Sequence, residues 1–183
     1  MPTIVAFCGK AGAGKDTAAQ VLCDHLGFER LAFADPLKEA LAIIANEPVQ
    51  NFHDPVLKEE FCPLFNMTRR EALQKFGTES VRDVLGENVW VERLLRSMSS
   101  SGKYVISDCR FDNEASALRE AGGYVVRIDR MSDLRDVPEH RSEVGISDIL
   151  IDSAINNDSD IDLFRQDVLS EVRTLLAGQG VKL

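Results

Sequence analysis

At 183 residues, 44% apolar and 28% charged, the chain has ordinary globular usage and the length of one domain, 1–183, burying roughly 70% of its unfolded surface. No run approaches the ~18 apolar residues of a membrane span, and no basic segment leads into an apolar one at the start, so a cytoplasmic protein with no membrane partner is expected. A net charge of −9 argues against nucleic acid as a ligand, yet the cations are 14 Arg against 7 Lys, suiting either bidentate recognition of small phosphates or surface ion pairs.

The first predicted element is an apolar strand, Thr3–Cys8. It runs into Gly9-Lys10-Ala11-Gly12-Ala13-Gly14-Lys15-Asp16-Thr17 and then into a helix. Strand, glycine-rich turn and helix are the context of a phosphate-binding loop, in which glycines let N–H groups wrap the phosphates and the helix dipole assists. Lys15 supplies an ammonium to the β- and γ-phosphates. Asp16 stands where Ser or Thr is usual, so Thr17 is the hydroxyl expected to meet magnesium. The plainer alternative is an ordinary βα turn.

Phe28 to Ala34 reads as a second strand ending at Asp35-Pro36. A helix follows, with Leu37, Leu41, Ile44 and Ala45 on its apolar face. From Glu47 to Asn66 the pattern is lost among three prolines, as in an irregular, lid-like insertion. Thr68 and Glu71 have the form of a capping box, opening a helix expected to stop at Gly77. Val91, Leu94, Leu95 and Met98 mark a helix over 88–98. Tyr104 to Asp108 is a buried-type strand. Ala115 and Leu118 mark a helix stopped by Gly122-Gly123, and Tyr124 to Ile128 is the next strand. Met131 to Ser147 is polar and weakly periodic. Ser159 and Asp162 read as a capping box for a last helix, with Ile161, Phe164, Val168, Val172 and Leu175 on one side. Alternating strands and helices predict an α/β fold, a parallel sheet covered on both faces. The four cysteines are scattered, as free buried thiols rather than a disulfide framework or a zinc site.

Among the charges, Asp108 ends an apolar strand, where a carboxylate either holds magnesium beside the loop or caps a helix. Arg110 follows toward the same crevice. Arg69 and Arg70 occupy the first turn of the helix that Thr68 caps, where the dipole disfavours cations by ~0.3–1 kcal/mol each. A bound phosphate would turn that placement into an anion site; otherwise both side chains extend into water. Arg82 lies one short step beyond. Asp35 and Lys38 offer an acceptor and a cation for a sugar or base and a phosphate, or else a helix cap and a solvated lysine. Arg130, Arg135, His140 and Arg141 lie in or beside the polar 131–147 stretch, as on a segment closing over phosphoryl transfer, or as incidental loop arginines. Gln74 and Glu79 are candidates for reading base edges. Trp90, Phe65 and Phe76 are expected in the core rather than stacked on a base.

GKAGAGKDTAA, FADPLKEAL, TRREALQKFGTESVRDVLGENVW, VISDCRFDNEASALREAGG and HRSE together resemble the deoxynucleoside monophosphate kinases of bacteriophages, over roughly residues 3–160. The loop is also similar to that of adenylate kinases, with Asp16 in place of their glycine. Asp35-Pro36-Leu37-Lys38 is similar to their acceptor-site turn, with lysine for arginine. The resemblance implies a P-loop NTPase-type sheet of the nucleoside monophosphate kinase kind, with an acceptor-binding insertion at about 36–98 and a lid at about 131–147. It implies ATP and Mg²⁺ as cofactors and transfer of the γ-phosphoryl of ATP to a deoxynucleoside 5′-monophosphate. Ala11, Gly12, Ala13, Gly14, Lys15, Asp16 and Thr17 would bind ATP, and Thr17 with Asp108 the metal. Lys15, Arg110, Arg130, Arg135 and Arg141 would be catalytic. Lys10, Asp35, Lys38, Arg69, Arg70, Gln74, Arg82 and Glu143 would bind substrate. Small nucleotides are the expected partners; a homodimer is left open, and a phage-encoded chain would act in the host cytoplasm. A dephospho-coenzyme A kinase and a P-loop switch protein without transferase activity are the alternatives.

Overall fold

The computed structural model describes residues 1–130 and 145–178. They divide into two compact units, one of Met1–Ala32 with Leu94–Leu183 and one of Phe33–Arg93.

The first unit is built on five strands: β1 (Thr3–Cys8), β2 (Glu29–Leu31), β5 (Lys103–Ile106), β6 (Tyr124–Asp129) and β7 (Ser153–Asn156). All pair in parallel, in the order β2-β5-β1-β6-β7. β1 is central, and its residues from Ile4 to Cys8 are buried on both faces, as expected for a near-continuous apolar run. On one face α1 (Lys15–Leu26) and α8 (Ile161–Gly178) pack together over Val5, Phe7, Val105, Val126 and Ile128. α7 (Asp112–Glu120), with Ala115 and Leu118 fully buried, contacts β1 and β6. Because side chains alternate along a strand, Ile4 and Ala6 take the opposite face from Val5 and Phe7.

Three details differ from the sequence reading. The second strand is Glu29–Leu31, at the sheet edge, rather than running from Phe28 to Ala34. β7 was not foreseen: only Ile155 of its four residues is buried, and its polar neighbours hide the apolar signal. The cap of α8 is Asp160, not Ser159; Asp160 Oδ1 accepts the N–H groups of Asp162 and Leu163, both at 3.0 Å. The buried stripe of α8 is Phe164, Val168, Val172 and Leu176, while Ile161 is exposed.

The second unit holds α2 (Asp35–Ala45), α3 (Gln50–His53), a 3₁₀ turn at Leu57–Glu59 and the antiparallel pair β3 (Phe61–Cys62) and β4 (Met67–Thr68). α4 (Arg69–Gln74) follows, with α5 (Asp83–Leu85) beyond it and α6 (Val89–Ser97) running across the unit boundary. The stretch expected to be irregular is therefore short elements in sequence. The Thr68–Glu71 capping box is present. Leu37, Leu41, Ala42, Phe52 and Ala72 form the core, and Phe65, Phe76 and Trp90 pack against it.

The helix begun at α4 does not stop at Gly77. It widens into a π-helical stretch, Lys75–Arg82, and ends at Gly86, whose φ of 129° breaks it. Gly77 is glycine for packing: a Cβ there would meet Leu37 Cδ2 at 2.9 Å. Its carbonyl accepts from Trp90 Nε1 at 3.1 Å.

Candidate active site

In a parallel sheet the loops leaving the carboxyl ends of the strands share one edge, and ligand sites gather there. In the first unit that edge collects the glycine loop after β1, Asp108 after β5, Arg130 after β6 and Asn157 after β7.

The loop's conformation explains its glycines. Gly9, Gly12 and Gly14 have φ of 130°, 85° and 107°, a region that side chains disfavour. At Gly9 a Cβ would also lie 2.3 Å from the Ile128 carbonyl oxygen, an obstacle of main chain that cannot swing aside. Lys15, the first residue of α1, is only 8% exposed. Its Nζ donates to the carbonyls of Gly9 at 2.7 Å and Lys10 at 2.6 Å, so the ammonium is drawn back across the loop. Ala13 is buried, Ala11, Gly12 and Lys10 are exposed, and Thr17 is half-buried in the first turn of α1. Exposed Asp16 lies 3.8 Å from Arg30 Nη2. Arg130 Nη1 reaches the Gly12 carbonyl at 3.4 Å, which joins this arginine to the loop.

Asp108 is half-buried just beyond β5. Ser107 before it is buried, and its Oγ accepts from Arg30 Nε at 3.1 Å. Arg110 is half-buried. Its N–H and that of Phe111 donate to the buried Glu114 carboxylate at 2.8 and 3.2 Å, which shapes the turn out of the strand. Burial pushes the Cys8 thiol up to about 11, so it stays protonated at neutral pH and is no nucleophile.

The hydroxyl of Thr17 and the carboxylate of Asp108 are hard oxygen donors. Such a pair fits Mg²⁺, which keeps waters and substrate phosphates as its other ligands. Among the described residues no group of three or more His, Cys, Asp or Glu gathers to hold a metal by itself.

In the second unit the candidate residues have partners of their own. Lys38 Nζ lies 3.3 Å from both Asp35 Oδ1 and His53 Nδ1. Arg69 is 8% exposed, and its fork is engaged: Nε donates to Glu47 Oε2 at 2.6 Å and Nη1 to the Leu57 carbonyl at 2.9 Å. The hydrogen bond to Glu47 raises the Arg69 guanidinium further and holds the Glu47 carboxyl below its ordinary value. Arg70 pairs with Glu59 instead, so the two neighbouring arginines turn to separate carboxylates rather than to one shared anion. Gln74 is half-buried and Glu79 exposed. Arg82 is buried, with Nη1 donating to the Glu87 carbonyl at 3.3 Å. Arg135, His140, Arg141 and Glu143 lie outside the described residues.

Sequence reasoning missed Arg30, Glu47, Glu114 and Asn157. Three of them act on main chain or on strand ends, and nothing in local spacing marks such a role. Glu114 alone left a trace, as a glutamate three residues after the Phe111 that precedes α7.

Comparison with known proteins agrees with this architecture. Residues 62–168 match the family described as deoxynucleotide monophosphate kinase. A protein of Acanthamoeba polyphaga mimivirus, provisionally named a deoxynucleotide monophosphate kinase, is 33% identical over 91% of this chain and 94% of its own. An uncharacterized protein, ORF77, of Ictalurid herpesvirus 1 (strain Auburn) is 30% identical over 91% of this chain and 68% of its own. These relatives are viral, though neither is from a bacteriophage. Among solved structures, TT1252 from Thermus thermophilus has a TM-score of 0.53 at 17% identity, covering 96% of this chain and 98% of its own. Shikimate kinase from Acinetobacter baumannii, in complex with shikimate, has a TM-score of 0.51 at 16% identity, covering 97% and 94%. Those two likenesses show the fold alone. The glycine loop, the parallel sheet and the matched sequence converge: the chain belongs to the deoxynucleotide monophosphate kinase family.

Proposed function

We propose that this protein transfers the γ-phosphoryl group of ATP to a deoxynucleoside 5′-monophosphate, giving ADP and the deoxynucleoside diphosphate. The observation that carries the reading is Lys15, buried at the head of α1 with its ammonium drawn across a glycine loop onto two main-chain carbonyls. Phosphate oxygens are charged acceptors and bind an ammonium more strongly than neutral carbonyls do. Lys15 is thus the group that exchanges partners when the donor nucleotide binds. The loop N–H groups and the start of α1 contribute fixed dipoles.

No general base is required, because the attacking oxygen belongs to the acceptor's ionised phosphate. Catalysis is positioning and charge neutralisation. Thr17 and Asp108 would hold Mg²⁺, which would supply part of that neutralisation. Lys10, Arg110 and Arg130 serve the phosphoryl group and bridging oxygens, while Asp35, Lys38, Gln74 and Arg82 serve the acceptor. Arg135, Arg141 and Glu143 keep the roles the resemblance implies. Arg69 acts through Glu47, orienting the start of α4 rather than gripping a phosphate, and Arg70 is held by Glu59.

An ADP-release assay with ATP and each of the four common deoxynucleoside monophosphates, with dephospho-coenzyme A as a further acceptor, tests the reading. Release dependent on at least one deoxynucleoside monophosphate is expected. Lys15→Ala should lower it about a thousandfold or more with the fold intact. Near-normal turnover in that variant removes the assignment, and release dependent on dephospho-coenzyme A alone removes the acceptor.

A further inference from the structure

Asn157 follows β7 directly and is 9% exposed, although no charge or apolar pattern singles it out. Its Nδ2 donates to the Ala13 carbonyl at 2.8 Å, and its own main-chain N–H donates to the Asp129 carbonyl at 2.8 Å. The residue is thus tied to β6 by its main chain and to the glycine loop by its side chain. Space around it is closed: a Cβ on Gly14 would lie 2.5 Å from Asn157 Nδ2 and 3.4 Å from the Phe164 ring. The amide orientation follows from chemistry, because a carbonyl facing it requires the NH₂ and not the oxygen.

The bond has a directional consequence. In a trans peptide the carbonyl and the following N–H point opposite ways. Drawing Ala13 O onto Asn157 therefore turns the Gly14 N–H away from the wall that Asn157 and Phe164 form. We infer that Asn157 is a positioning residue for the donor phosphates: it presets the Ala13–Gly14 peptide so that a loop N–H is aimed before the nucleotide arrives. The inference rests on reading the loop as the donor site. Such a group raises affinity by cutting the cost of ordering the loop on binding. A carboxylate of the same shape would repel the carbonyl and add negative charge behind a site for anions.

Asn157→Asp keeps the shape and removes the donor; Asn157→Ala removes the whole contact. Steady-state kinetics of the full chain, varying ATP and then the deoxynucleoside monophosphate, are read beside thermal melts with and without ADP. For both variants KM for ATP should rise roughly tenfold or more, while KM for the acceptor stays at the wild-type value. The rise in Tm that ADP gives the wild type should shrink in both. A lowered Tm with wild-type KM for ATP and an undiminished ADP response overturns the inference and leaves Asn157 a packing residue. Should the wild-type chain release no ADP with any acceptor, the kinase reading fails separately, and the ADP response of the variants alone decides the role of Asn157.

Discussion

Two buried cations, Lys15 and Arg69, show how the same charge does different work in different company. Lys15 donates to main-chain carbonyls of the glycine loop, neutral acceptors weaker than a charged oxygen. Arg69 is locked to the Glu47 carboxylate, which is further held by Asn51 Nδ2 at 3.1 Å. Helix-dipole reasoning flagged Arg69 because a cation in a first turn needs compensation. The compensation is internal: Glu47 lies 22 residues earlier, beyond the reach of any local pattern. The Arg69 hydrogen bond, then that of Asn51, holds the Glu47 carboxyl below its ordinary 4.5. A carboxyl depressed in the fold stabilises the protein above its unfolded value and loses that contribution as pH falls through the folded value. Urea unfolding should therefore show a stability loss as pH falls below that ordinary value of 4.5, a loss that Glu47→Gln flattens. At pH 7 Arg69→Ala should cost about 2 kcal/mol or more, since it strands a half-buried carboxylate. An unchanged acid limb in Glu47→Gln and an unchanged midpoint in Arg69→Ala would show that the Arg69–Glu47 pair contributes nothing to stability.

At the scale of elements, the segment from Thr68 to Gly86 is where local rules succeed and then fail. The capping box was legible because its partners are three residues apart and both bonds are local. The stop at Gly77 was misread because glycine has two uses, and only tertiary contact tells them apart. Here Leu37 occupies the space of the missing Cβ, and the indole of Trp90 takes the carbonyl. A π-helical stretch is uncommon in soluble proteins and often accompanies function; this one carries Gly77 and the buried Arg82. Gly77→Ala should destabilise by about 1–3 kcal/mol through overpacking against Leu37. Trp90→Phe should cost about 1 kcal/mol by leaving the Gly77 carbonyl without its indole donor. Denaturant midpoints measure both, and a neutral Gly77→Ala would contradict the packing explanation. β7 and the cap of α8 were missed for a related reason: a four-residue edge strand with one buried side chain carries almost no periodicity.

For the whole molecule, alternating strands and helices were enough to give a parallel α/β sheet, because each apolar strand and amphipathic helix states its own period. Strand order was not readable in this way; it depends on which crossovers bury the most surface and enters here through the fold. The glycine loop was legible from nine consecutive residues, 9–17. Asn157, Glu114 and Arg30, which hold it and the neighbouring strand ends, were not, because their partners are distant in sequence or main-chain atoms. In the proposed reaction the γ-phosphoryl group moves from ATP to a second nucleotide rather than to water. A single-turnover reaction with ATP labelled in its γ-phosphate, mixed with the chain and a deoxynucleoside monophosphate, tests this directly. The label is expected in the deoxynucleoside diphosphate, and Lys15→Ala should abolish its appearance there. Label recovered only as inorganic phosphate, at a rate indifferent to the acceptor, would contradict it.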